Sequence, residues 1–136
     1  MNRTELREQV FKLLFRVEFN SMEDMAEQEE LFAQTSDIEF SSKDADFVRD
    51  RYEHIAEKLT EIDEAINSKT TGWNTSRIAK VDLAIIRLAV YEIRYDDTVP
   101  AGVAINEAVE LAKKFGQDGS PAFVNGVLAR FANSQD

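Results

Sequence analysis

The sequence predicts an all-α fold, and three observations predict it. Only two prolines and five glycines punctuate 136 residues, too few for a sandwich or barrel of many short strands. Apolar residues recur at three- and four-residue steps, the period of a buried helix face. The joints between these stretches are short and carry helix-ending chemistry, as where Lys113 and Lys114 precede Gly116.

The elements follow in order. Thr4–Phe19 sets Leu6, Val10, Leu13, Leu14 and Val17 on one face. Ser21–Gln34 reads as a weaker, acidic helix. Ser41 or Ser42 caps a long helix to about Asn67, with Asp44 three residues after Ser41 in a capping-box pattern. Its face carries Phe47, Tyr52, Ile55, Ala56, Leu59, Ile62 and Ile66, and Thr70-Thr71-Gly72 breaks it. Ile78 to Tyr95 is apolar nearly all round, which places that helix at the centre of the fold. It is rich in branched residues, yet it lacks the two-residue alternation of a strand. Asp96-Asp97-Thr98 and Pro100 form a joint. Val103–Phe115 is the penultimate helix. Ser120 caps the last, with Pro121 at the proline-tolerant first position and Ala122–Ala132 following. The expected architecture is six or seven helices in one domain, residues 1–136. It divides into an N-terminal subdomain (1–70) and a C-terminal one (73–136), each a three-helix-type bundle.

Composition removes several function classes. There are no cysteines, which excludes disulfides, zinc ribbons and thiol nucleophiles. One histidine argues against a histidine-based metal site or a Ser-His-Asp triad. No apolar run approaches the ~18 residues of a membrane span, and the N-terminus lacks an export signal. A cytoplasmic protein with no membrane association and no cofactor is expected. The net charge of −10 counts against nucleic acid, but its distribution does not. Residues 21–72 hold 15 acidic and 5 basic side chains, whereas 1–20 hold 3 and 4. Salt screens exposed charge beyond about 8–10 Å, so the acidic middle does not forbid a local RNA site.

Several residues stand out. Phe11, Phe15 and Phe19 form a four-step ladder, with Arg7 on one side and Lys12 and Arg16 on the other. Rings between cations suit unpaired nucleic acid, where bases stack and cations take phosphates. The same ladder also reads as a wide apolar face wedged between neighbours, with snorkelling cations. Lys80, Arg87 and Arg94 recur every seven residues and read as a solvated stripe. Asp82 and Glu92 stand among apolar neighbours, where an unpaired carboxylate is costly, so pairing is expected. Gly126, after Asn125, costs about 1 kcal/mol in a helix relative to alanine, which suggests close approach of another helix or of a ligand. Asn106, Glu107 and Glu110 suit a helix start better than a metal site, since no Glu-x-x-His pair completes one. His54 reads as surface and Trp73 as core or interface. Asn74-Thr75-Ser76 matches a glycosylation sequon without the export that would give it meaning.

The C-terminal half carries a specific pattern. Trp73, Arg77, Val81-Asp82, Ile86-Arg87-Leu88-Ala89 and Tyr91-Glu92 are followed by Pro100, then by residues 103–113 (VAINEAVELAK), Phe115-Gly116 and Phe123-Val124-Asn125-Gly126-Val127-Leu128. In this order and spacing the chain closely resembles the NusB family of transcription antitermination factors. The resemblance is strong over 73–131 and extends weakly through Arg7-Glu8 and Phe11–Phe15. It implies an all-α fold and no catalysis. It further implies binding of a single-stranded boxA RNA element in ribosomal RNA transcripts, jointly with the ribosomal protein NusE. Other Nus factors and RNA polymerase complete that assembly. Carried over residue by residue, phosphate contacts fall on Arg3 and Arg7, and the first-helix aromatic on Phe15. The acidic residue before the apolar run falls on Asp82 and the FVNG aromatic on Phe123, with Asn125 beside it.

The departure is at the N-terminus, where Arg3 and Arg7, interrupted by Glu5, stand in place of several adjacent arginines. Fewer contacts imply weaker binding and a salt dependence shallower by about 0.7 per lost contact on a single strand. Two other readings compete. One is a protein-only adaptor that keeps the NusE surface without RNA contact. The other is an RNA-targeting domain fused to a methyltransferase, which the length of 136 residues disfavours. A homodimer of the free chain is also open, since an apolar docking surface can self-associate.

Overall fold

The structure is a computed structural model and describes residues 1–35, 40–69 and 74–132. The expected break at Thr70-Thr71-Gly72 and the side chain of Trp73 lie outside these residues. Among the described residues every regular element is helical: α1 (Arg3–Phe15) with a 3-10 turn (Arg16–Phe19), α2 (Met25–Thr35), α3 (Ser42–Glu57), α4 (Leu59–Lys69), α5 (Lys80–Tyr95), α6 (Ala101–Phe115) and α7 (Ser120–Ala132). The all-α expectation holds. The chain forms two compact units, Met1–Ala56 and Glu57–Asp136.

In the first unit, α1 opens on a capping box. The Asn2 side chain accepts from the Glu5 amide (2.8 Å), and the Glu5 carboxylate accepts from the Asn2 amide (3.1 Å). Two orphan donors are thereby satisfied. Val10, Leu13 and Leu14 are buried, as the spacing predicts, and Phe11 of the neighbouring ladder is buried with them, while Leu6 and Val17 are half-buried. The helix tightens after Phe15 because the Arg16 amide splits between the carbonyls of Leu13 and Leu14. The Asn20 side-chain amide then donates to the Arg16 carbonyl at 2.9 Å. The second helix starts later than expected, at Met25, after a turn in which the Ser21 hydroxyl accepts from the Asp24 amide. Before α3, the Ser41 hydroxyl does accept from the Asp44 amide (3.1 Å). The Asp44 carboxylate instead pairs with the amino terminus at 3.0 Å, which holds its carboxyl below the usual range.

The long helix expected from Ser41 to Asn67 is two helices, interrupted at Lys58. No proline or glycine causes this. The interruption falls beside the division between the units.

In the second unit, every residue from Asp82 to Ile93 in α5 is buried, so this helix is the centre that its all-round apolar sequence predicts. It packs against α4, α6 and α7, and α6 packs on α7. Burial extends to Arg87, which corrects the expectation of a solvated cation stripe. Lys80 and Arg94 are exposed, but Arg87 is 7% exposed. It grips Asp63 of α4 through two bonds, Nε to Oδ1 at 2.9 Å and a terminal nitrogen to Oδ2 at 2.8 Å. The Asp96 carboxylate closes the α5–α6 joint by accepting from the Thr98 amide and hydroxyl. Glu110 pairs with Lys113 on the surface of α6 (3.2 Å).

Gly116 ends α6, and its amide donates to the Ala112 carbonyl. A Cβ there would lie 2.5 Å from the Ser120 side chain and 2.8 Å from the Ala112 carbonyl oxygen. The glycine is what lets α7 begin so close behind α6. The Ser120 hydroxyl accepts from the Gln117 amide (2.9 Å), within the joint itself. The expected cap shifts accordingly. Ser120 is the first helical residue, and the Gly119 carbonyl takes the first amide bond, from Phe123.

Candidate nucleic-acid interface

Two surfaces carry the residues singled out by the sequence, one on each unit. On α1, Arg3, Arg7, Phe11 and Phe15 succeed one another at four-residue steps and so form one slowly turning ridge. It is about 18 Å long at 1.5 Å per residue. Arg3 is exposed and Arg7 half-buried. The ladder is physical: Phe11 and Phe15 have centroids 6.3 Å apart, and Phe15 meets Phe19 edge-on at 5.1 Å. Its exposure is graded. Phe11 is 3% exposed and belongs to the core, Phe15 is half-buried, and Phe19 is 60% exposed. The ladder is thus both of the things its pattern suggests, core at one end and open ring at the other.

The cations beside it already have work. Lys12 pairs with Glu8 at 3.4 Å. Arg16 donates to the Gln28 side chain at 3.1 Å and lies 5.1 Å from the Phe32 centroid, so it fastens α2 to the end of α1. Arg3 and Arg7 form the ridge's basic end. Nearby, Glu29 is pushed up to about 7, first by burial, then by hydrogen bonding and repulsion from Glu53, with Arg49 opposing. Tyr52 is pushed up to about 12, chiefly by burial, and its hydroxyl has no hydrogen-bond partner.

On the second unit, Phe123 is half-buried near the start of α7, and Asn125 and Gly126 are exposed. A Cβ on Gly126 would meet nothing within 4 Å. Among the described residues, no neighbouring helix therefore explains that glycine. Asp82 is 7% exposed, and its Oδ1 is buried without a hydrogen-bond partner. The expectation that it is paired fails at this oxygen, and leaving a buried acceptor unmet costs about 1–3 kcal/mol. Glu92 is also buried. His54 is exposed, as expected. One feature gave no clear sequence signal: Lys69 and Arg94, distant in the chain, lie over the Phe131 ring, and Arg130 donates to the Lys69 carbonyl. Each lies in the last turn of its own helix, and that shared position is the hint the sequence carries.

Among the described residues no group of three histidines, cysteines or carboxylates could hold a metal, and no helix is long and apolar enough to cross a membrane. Fold and surfaces together define a small helical interaction module that offers rings and cations. The NusB family model matches residues 4–133. A transcription antitermination protein NusB from Agathobacter rectalis is 53% identical over 132 residues, covering 97% of this chain and 100% of that protein. Among solved structures, T. maritima NusB aligns with a TM-score of 0.85 at 35% identity, covering 98% of this chain and 92% of that one. A complex of antitermination factors NusB and NusE with dsRNA contains a chain of the same fold (TM-score 0.84, 21% identity, 97% of this chain and 96% of that one). This chain belongs to the NusB family, a family of transcription antitermination proteins.

Proposed function

We propose that this chain binds unpaired boxA-type RNA of ribosomal RNA transcripts together with a NusE-type ribosomal protein. With other Nus factors it then acts on elongating RNA polymerase in the cytoplasm, without catalysis, residues 1–136 working as one functional domain. The observation that carries the reading is the end of α1, where half-buried Phe15 is buttressed edge-on by Phe19 on a ridge that begins with Arg3 and Arg7. A buttressed ring is a preset stacking surface, and two arginines along the same ridge supply phosphate contacts. Phe123 offers a second ring, with Asn125 a polar side chain next to it. Asp82 keeps one buried acceptor oxygen unmet, to be satisfied by a donor from the RNA or the protein partner. The relatives' antitermination role supports the same reading, and the solved complex of NusB and NusE with dsRNA supports its pairing of an RNA with a NusE-type partner.

Lys12 and Arg16 are engaged internally and the N-terminus carries only Arg3 and Arg7 where the family often has several adjacent arginines, so the chain alone binds RNA weakly and NusE raises the affinity. Those same engagements favour the alternative, a NusE-binding adaptor with little RNA affinity. Titration of labelled leader RNA with and without NusE separates the two. Phe15→Ala should weaken RNA binding roughly 5- to 150-fold, the worth of one stacked base, and Arg7→Glu should abolish it, both with NusE binding intact. RNA retention unchanged in both variants would move the site off α1 and favour the adaptor.

A further inference from the structure

Resting on that RNA reading, we propose that the C-terminal ends of α4, α5 and α7 form a second phosphate-binding site, where Lys69, Arg94 and Arg130 hold the RNA backbone beyond Phe123. The three cations come from three helices: two lie over one ring, and the third is tied to the backbone of the first. Lys69 Nζ lies 5.7 Å and Arg94 Cζ 5.5 Å from the Phe131 centroid, and the Arg130 guanidinium donates to the Lys69 carbonyl. A cation in the last turn suits its own helix dipole, but that does not require three helices to deliver theirs to one place. Like charges gathered this way repel, and a chain with 26 acidic and 16 basic residues had carboxylates with which to separate them. Neither Lys69 nor Arg94 is paired with a carboxylate among the described residues. The bond from Arg130 also satisfies a carbonyl at the end of α4 that would otherwise repel an anion.

The surface of α7 leads to this cluster. Phe123, Gly126 and Arg130 lie within about 60° of one another around the helix and span about 10 Å along it. Glycine is costly inside a helix. At Gly126 the space a side chain would fill is open, which leaves room for a backbone to run close over the helix between ring and cations. An acidic peptide fits less well. Phe131 is 2% exposed, so the cluster presents charge without an accessible apolar anchor of the sort peptide partners use. Closely repeated anions on a polyphosphate chain need no such anchor.

The test is the salt dependence of leader-RNA binding by the full chain with NusE. Lys69→Gln with Arg94→Gln should make the log–log slope shallower by about 1.4, at about 0.7 per lost contact, and weaken binding about tenfold at 150 mM salt. The charge-keeping pair Lys69→Arg with Arg94→Lys should behave as the parent. Should the double glutamine variant fail to fold, Arg94→Gln alone, at an exposed site, should still cost about 0.7 in slope. An unchanged slope, with Phe15→Ala still weakening RNA, would overturn this site and leave the α1 reading standing. Loss of binding to polyglutamate with the RNA slope unchanged would also overturn it, since the site would then take acidic peptide. No RNA binding by the parent complex would remove both.

Discussion

Replacing Asp63 should damage this protein more than replacing the arginine it holds. The Arg87 side chain is 9% exposed and Asp63's is 25% exposed, and two bonds of 2.9 and 2.8 Å join them. Asp63→Ala leaves a guanidinium in the packed face of α5 without its bidentate acceptor, an error that costs about 3–5 kcal/mol when burial is complete. Water can enter from the Asp63 side, so the lower end of that range, about 3 kcal/mol, is expected. Arg87→Met instead fills the buried space with an apolar chain and leaves a carboxylate that water reaches, at a cost of about 1 kcal/mol. The double variant should match Arg87→Met within about 0.5 kcal/mol, because the charge that made the aspartate necessary is gone. Urea unfolding reads this directly. With a slope of about 1.5–2 kcal/mol/M, Asp63→Ala should lower the midpoint by about 1.5–2 M. Equal damage from the two single changes, or a double variant as weak as their sum, would refute the argument that burial of the cation sets the cost.

The two glycines near α7 should respond in opposite directions. Gly116→Ala puts a Cβ 2.5 Å from Ser120 and should cost about 1–3 kcal/mol in thermal or urea unfolding. Gly126→Ala meets nothing within 4 Å and should stabilise by about 0.4–1 kcal/mol, yet weaken leader-RNA binding if a backbone runs over that turn. A stabilised variant with unchanged RNA affinity would remove Gly126 from the interface. Glu29 makes stability depend on pH. Its folded value of about 7 stands above the ordinary 4.5, so between these values the folded chain holds a proton that the unfolded chain releases. Its contribution is therefore most favourable below pH 4.5 and declines as pH rises through 7. Glu29→Gln should leave melting nearly unchanged at pH 5 and raise it at pH 8. The Asp44 carboxyl, shifted downward by the amino terminus, titrates below that window. Equal effects at both pH values would show that Glu29 ionises freely in the folded state.

What the chain's order of residues settled was helical, and the reasons are local. Period, caps and breakers act over a few residues, so the buried centre at α5, the Asp96-Thr98 joint and the end of α6 at Gly116 could be read without coordinates. The FVNG segment and the residues before it likewise carried the family, because motif spacing is a property of the string. Tertiary structure decided everything that depends on which side chains meet across helices. Lys80, Arg87 and Arg94 share one spacing, yet Arg87 is buried because Asp63 stands opposite it on α4, while Arg94 turns to Phe131. The Phe11–Phe15–Phe19 ladder has one period but passes from core to solvent, because packing covers its first ring wholly and its second in part. The break at Lys58 has no breaker to announce it. Periodicity fixes the direction in which a side chain points, and only the folded neighbours determine whether it finds solvent, a partner or a ring.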